Sequence, residues 1–255
     1  IPTPNIDAIA KNGIRFTSGY VSAPNCSPSR AGLLTGKYQT RFGYENNPIG
    51  AKNDEPGYGL PTDQKTMAEI LHNTGYTTAM IGKWHLGEGK NHEPTGFDYW
   101  SVLPGQGDYF DPHFIEMGQE VEEHGYATEI ITEKSLAWLK SRNSKKPFFL
   151  MCHHKAPHRE WEPHPKYREL FTSDIKVPSS FDDDYKNRAK AAAEAKMRIK
   201  DDVTYDDLGL VQPEGGSEIG LRTRPKSSKR KIPNPSNVKN LIFIDKHTGE
   251  RFSFE

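Results

Sequence analysis

Apolar and polar positions along the chain fall into a block that reads as helix then strand, and the block occurs twice. The first opens with Thr66 and Glu69 at capping-box spacing, carries Met67, Ile70 and Leu71 on one helical face, and closes at Gly75. The run at 76–81 that follows predicts a strand. The second block spans 128–141, with Ile131, Ser135, Trp138 and Leu139 at helical spacing, ahead of a predicted strand at 147–152. Residues 14–20 alternate apolar and polar and predict another strand, 23–25 a turn, and Pro28 suits the first turn of a helix. That places Cys26 at a helix N-terminus. Helix and strand units in this order predict an α/β fold whose ligand edge lies beyond the carboxyl ends of its strands.

After about Phe171 the pattern changes. Residues 185–200 are rich in alanine, lysine and arginine and predict a helix with Ala189, Ala192, Ala193 and Met197 as its modest apolar stripe. Residues 213–235 carry glycine, proline, serine and the basic residues Arg222, Arg224, Lys226, Lys229, Arg230 and Lys231, which predicts a flexible excursion. The basic cluster reads as a solvated loop, with contact to a polyanion as the alternative. Residues 240–254 predict two short strands around a His247, Thr248, Gly249 turn, and Asp182, Asp183 and Asp184 a solvated turn or helix start.

Composition narrows the function classes. Lysine plus arginine (34) equals aspartate plus glutamate (34), so no global charge draws the chain to nucleic acid or an anionic membrane. No apolar stretch approaches membrane-spanning length. Two cysteines, Cys26 and Cys152, are too few to indicate a redox compartment.

Three motifs carry chemistry. The first is Cys26, Ser27, Pro28, Ser29, Arg30, continued by Ala31, Gly32, Leu33, Leu34, Thr35 and Gly36. A cysteine before a helix is often buried and structural. At a helix N-terminus, however, free amides and the helix dipole favour an anion. The second is Gly82, Lys83, Trp84, His85, Leu86, Gly87 after the strand at 76–81, and the third runs from His153, His154, Lys155, Ala156, Pro157, His158 and Arg159 to Trp161 after the strand at 147–152. His153 and His154 match no helical zinc spacing and have no acidic partner close by in sequence, which argues against zinc.

Together, and in this order, the three motifs resemble the sulfatase family, and bacterial carbohydrate sulfatases in particular. The resemblance implies an alkaline-phosphatase-like α/β sandwich with a central mixed sheet flanked by helices. It implies that a formylglycine-generating enzyme oxidises Cys26 to formylglycine, whose hydrated aldehyde supplies the nucleophile for sulfate-ester hydrolysis. On the same resemblance Lys83 neutralises a sulfate oxygen, and His85 hydrogen-bonds the formylglycine hydroxyl and takes its proton. Arg30 holds the nucleophile loop, His158 contacts sulfate and protonates the departing alcohol, and Trp161 lines the substrate cleft. A disulfide to Cys152 would abolish this chemistry, so Cys152 is expected to be a buried strand residue.

Other stretches extend the likeness. Residues 1–16 resemble the segment upstream of the nucleophile, while 97–100, 103–107 and 110–115 resemble a loop of carbohydrate sulfatases, and 205–213 look similar to bacterial members. The family's paired aspartates, its later aspartate with an amide neighbour, and a further lysine are not found in this sequence. Of the calcium ligands, only Cys26 as formylglycine can be placed. The expectation is a fragment, incomplete at both ends, with a partial catalytic core at 1–170 and a helical and basic insertion at 171–255, inactive or nearly so. Family membership would imply a periplasmic or secreted protein, although the sequence carries no signal peptide. The alternatives are a phosphonate or phosphodiester hydrolase of the same superfamily, or a non-catalytic fragment that binds sulfated glycan. For an enzyme, the substrate expected is a sulfated carbohydrate or aryl sulfate.

Overall fold

The structure is a computed structural model that describes residues 2–48, 59–159, 161–167, 169–170, 173, 176–195, 210–211, 242–245 and 251–253. The chain divides into two compact units, residues 1–155 and 156–255.

The first unit is built on five strands. β1 (Thr77–Lys83) lies between β2 (Tyr99–Leu103) and β5 (Phe148–His153) and is parallel to both. β3 (His113–Glu116) and β4 (Gln119–Glu122) add an antiparallel hairpin beside β2, giving a mixed sheet in the order β4-β3-β2-β1-β5. The hairpin turns on Met117 and Gly118, with φ 49° and 82°, the two positive values that a type I′ turn requires.

β1 is buried from Thr78 to Lys83, as expected for a parallel strand covered on both faces. Its side chains alternate between two cores. Met80 joins Trp100, Met151 and Leu34 under α2 (Cys26–Thr35), while Ala79 and Ile81 join Phe114, Ile131 and Trp138 under α4 (Ala127–Ser141). α3 (Met67–Asn73) has both reciprocal bonds of its capping box, Glu69 N–H to Thr66 Oγ1 at 3.1 Å and Thr66 N–H to Glu69 Oε2 at 2.7 Å. Ala68, however, is the residue of this helix that is buried, whereas Ile70 is exposed.

Two expectations for this unit fail. Residues 14–20 form no strand, since no neighbouring strand among the described residues completes a ladder, and Ile14, Phe16 and Tyr20 stay exposed. Helix α1 (Pro4–Asn12) precedes them, with proline in its first turn and no buried residue. Cys152 is exposed rather than buried. It sits on β5 at the sheet margin, with no further strand beside it among the described residues, and accepts a hydrogen bond from Ser135 Oγ at 3.3 Å.

The second unit holds a one-turn 3-10 helix (Pro165–Tyr167), α5 (Lys190–Glu194), and an antiparallel sheet of β6 (Leu210–Val211), β7 (Ile242–Asp245) and β8 (Arg251–Ser253). β7 and β8 match the strands expected within 240–254, and the turn between them lies outside the described residues. Of the helix expected over 185–200, the described part is helical at Lys190–Glu194 with none of these residues buried, and residues 196–200 lie outside the described residues. An alanine stripe offers little apolar area to hold a short helix in place. Asp182 lies in an exposed turn, as expected, whereas Asp183 is half-buried and pairs with Arg188. Residues 213–235 lie outside the described residues.

Candidate active site

Cys26 is the first residue of α2, with Asn25 extended at the N-cap. Its Sγ lies 3.2 Å from His85 Nδ1 and 3.4 Å from Asn47 Nδ2. Asn47 also accepts from the Ser27 amide through Oδ1 at 3.0 Å, satisfying one of the amides that a helix start leaves without a partner. One side chain thus fixes both the helix start and the amide facing the sulfur.

Ser27 is fully buried and ties the two motif loops together. Its hydroxyl donates to the His85 carbonyl at 2.6 Å and lies 2.7 Å from the Tyr44 hydroxyl, which is left to act as the donor. Burial, ahead of the smaller opposing effect of the Ser27 bond, pushes the Tyr44 phenol up to about 12, so Tyr44 keeps its proton. The grip on the His85 carbonyl matters because His85 has φ 55°, a left-handed conformation that costs a non-glycine residue about 1–2 kcal/mol.

Arg30, one turn along α2, donates from one nitrogen to the Lys83 carbonyl at 2.8 Å and lies 3.0 Å from His153 Nδ1. A guanidinium has no acceptor, so His153 Nδ1 must carry a lone pair. Burial and then the Arg30 charge hold His153 down to about 4, in keeping with a neutral ring. Burial also lowers Arg30 itself.

Lys83 closes β1 and is 3% exposed. Burial is the main influence drawing it down to about 8, with Arg30 and Lys155 pushing the same way and Cys26 opposing. Its ammonium donates to Gln106 Oε1, while Gln106 Nε2 lies 3.3 Å from His85 Nε2. Lys155 is also buried, its Nζ 4.7 Å from the Tyr109 ring centre and 3.5 Å from the Gln106 carbonyl.

Of the residues singled out by sequence, Cys26, Arg30, Lys83 and His85 converge in the first unit. His158 and Trp161 belong to the second, where His158 Nδ1 bonds the Arg159 carbonyl and Trp161 Nε1 donates to the Pro157 carbonyl at 2.9 Å. Ser27 and Lys155 lay inside quoted motifs without assigned roles, and Gln106 inside a quoted loop. Asn47 had no local signal at all.

Calcium does not fit the donors present. No group of three or more histidine, cysteine or acidic side chains is poised for a metal among the described residues, and the side chains that approach Cys26 are the His85 imidazole and the Asn47 amide, with the Arg30 and Lys83 cations nearby. A hard cation requires about six or more oxygens.

The family model described as Sulfatase matches residues 1–205. The chain belongs to the sulfatase family. It is 45% identical over 219 residues to an N-acetylglucosamine-6-O-sulfatase of Bacteroides thetaiotaomicron, covering 84% of this chain and 37% of that relative. An ulvan-active sulfatase of Formosa agariphila is 34% identical over 182 residues, covering 68% and 34%. Among solved structures, BT4656 in complex with its substrate D-glucosamine-2-N,6-O-disulfate superimposes with a TM-score of 0.71 at 44% identity, covering 84% of this chain and 42% of that one. The mixed sheet flanked by helices is therefore that of the alkaline-phosphatase-like sulfatases. The sulfatase chain described here spans less than half the length of each of these relatives.

Proposed function

We propose that this chain carries the nucleophile side of a sulfatase site that hydrolyses sulfate esters of carbohydrates, with 6-O-sulfated glucosamine as the first substrate class to test. The observation that supports it most is the placement of Cys26 Sγ at a helix N-terminus 3.2 Å from His85 Nδ1, with Arg30 one turn along the same helix. In this reading the sulfur stands where a formylglycine oxygen would stand.

Formylglycine, once formed, supplies two hydroxyls on one carbon, one to attack sulfur and one whose deprotonation releases sulfate. The chain's own residues bind and move protons around it. Lys83 offers its charge to a sulfate oxygen in a buried setting where that charge acts strongly. His85 holds the hydroxyl through Nδ1 and removes its proton, and Arg30 fixes the loop by holding the Lys83 carbonyl. His158 is assigned the proton for the departing alcohol, and Trp161 a wall of the sugar cleft.

The test is expression with a formylglycine-generating enzyme, mass analysis of the Cys26 peptide, and assay of sulfate release from glucosamine 6-sulfate and an aryl sulfate by a chain extended to the length of its relatives. Oxidation of Cys26 to the aldehyde with sulfate release is expected. Unmodified thiol in a competent host, or modified protein releasing no sulfate, would refute the reading.

A further inference from the structure

Gln106 sits at the tip of a turn that the sequence singled out only by likeness. The Gly107 amide closes that turn onto the Pro104 carbonyl at 2.9 Å, and the Gly105 amide donates to Glu88 Oε1 at 2.6 Å. Gly105 and Gly107 both have positive φ (50° and 68°), and a Cβ on Gly107 would approach Leu103 Cδ1 to 2.8 Å. The turn is therefore fixed at both flanks of Gln106, and the side chain between them reaches two groups of the site at once.

The two contacts are not interchangeable. An ammonium only donates, so the Gln106 atom facing Lys83 must be its carbonyl oxygen. That leaves Gln106 Nε2, which only donates, facing His85 Nε2. His85 Nε2 must then carry the lone pair, and a neutral ring must carry its proton on Nδ1, the atom 3.2 Å from Cys26 Sγ.

We infer that Gln106 is a positioning residue that couples the Lys83 ammonium to the His85 imidazole and sets the tautomer His85 presents to position 26. The inference rests on the sulfatase reading for its meaning. With Lys83 held by Gln106, His85 presents an N–H to the nucleophile oxygen and stabilises negative charge there. His85 becomes a proton acceptor at Nδ1 only when the Gln106 amide turns over to offer its oxygen to Nε2, so that Nδ1 gives its proton to solvent and Nε2 takes one, and this requires Lys83 to release the Gln106 oxygen. A sulfate oxygen at Lys83 would bring that release, so one amide links substrate binding to the change of His85 from donor to base.

The experiment is nitrogen-15 NMR of the His85 ring in the unmodified chain, comparing wild type, Gln106→Glu and Gln106→Leu. Wild type is expected to show the proton on Nδ1 with Nε2 bare. Gln106→Glu keeps the shape and the Lys83 contact but offers His85 only acceptors, so a proton should appear on Nε2. Gln106→Leu removes both contacts and should give a mixture of tautomers. Unaltered backbone amide spectra outside the site would show that each variant folds. A protonated Nε2 in neutral wild-type His85, or a tautomer unmoved in Gln106→Glu, would overturn the inference. The readout needs neither turnover nor formylglycine. A sulfatase reading refuted by absent sulfate release is thereby distinguishable from a failed tautomer assignment.

Discussion

Replacing Gly82 with alanine probes the junction on which the site depends. Gly82 pairs with His153 across β1 and β5, has φ 100°, and a Cβ there would lie 2.0 Å from the His153 carbonyl oxygen and 2.9 Å from its carbon. Those atoms are backbone in a neighbouring strand and cannot rotate aside. Positive φ costs alanine about 1–2 kcal/mol. Forcing the strands apart adds about 1–3 kcal/mol of overpacking, and losing a ladder hydrogen bond adds about 1 kcal/mol. The expected destabilisation is therefore about 3–6 kcal/mol, a large share of the roughly 5–15 kcal/mol typical of a domain. Gly36→Ala supplies the control, because Gly36 also has positive φ (64°) but a Cβ there meets nothing within 4 Å. It should cost only about 1–2 kcal/mol. Urea unfolding followed by tryptophan fluorescence, with slopes checked for equality, measures both. Equal losses within about 0.5 kcal/mol would refute the argument that strand contact, rather than backbone conformation alone, demands glycine at 82.

Two other outcomes follow from the site's geometry. Ser27→Ala removes the donor to the His85 carbonyl and the partner of the Tyr44 hydroxyl, both buried. Unfolding should show a loss of about 2–4 kcal/mol; a loss below about 0.5 kcal/mol would mean the hydroxyl does not hold the left-handed turn. His153 binds protons less readily when folded, at about 4, than the ordinary 6.5 of an unfolded chain. The unfolded chain thus holds more protons between these values, so this histidine's contribution to stability is present above about pH 6.5 and is lost as pH falls through about 4. Stability measured across this window should decline less in His153→Gln than in wild type, and parallel curves would refute a buried, neutral His153.

The legible parts of the fold were those whose signals are local. α3, α4, β1 and β5 each carry their own caps or periodicity, and the structure places them within a residue or two of expectation. The run at 14–20 has strand periodicity too, yet a strand exists only where a neighbour supplies a ladder, which alternation cannot reveal. The β3–β4 hairpin escaped notice for the opposite reason, since its turn is Met117 and Gly118 rather than an asparagine or aspartate before glycine. Within the site, Cys26, Arg30, Lys83 and His85 were readable from motifs. Asn47 lies 21 residues from Cys26 and Gln106 lies 23 from Lys83, and both reach the site through loops whose course depends on the folded sheet.

Two cations of the motifs, Arg30 and Lys83, divide their labour by the partners each one holds. Arg30 commits one guanidinium nitrogen to both the Lys83 carbonyl and the His153 ring, acceptors fixed by the ends of β1 and β5, so moving it would dismantle the junction. Lys83 is held by the Gln106 side-chain amide, which can turn about its own bonds without disturbing the sheet. Burial and the nearby Arg30 and Lys155 charges already disfavour the Lys83 ammonium, and an incoming anion would reverse that balance. Under the proposed function, Lys83 is then the cation free to exchange partners. Binding of a sulfate ester should draw a proton to Lys83 above about pH 8, whereas Arg30 remains a fixed part of the frame.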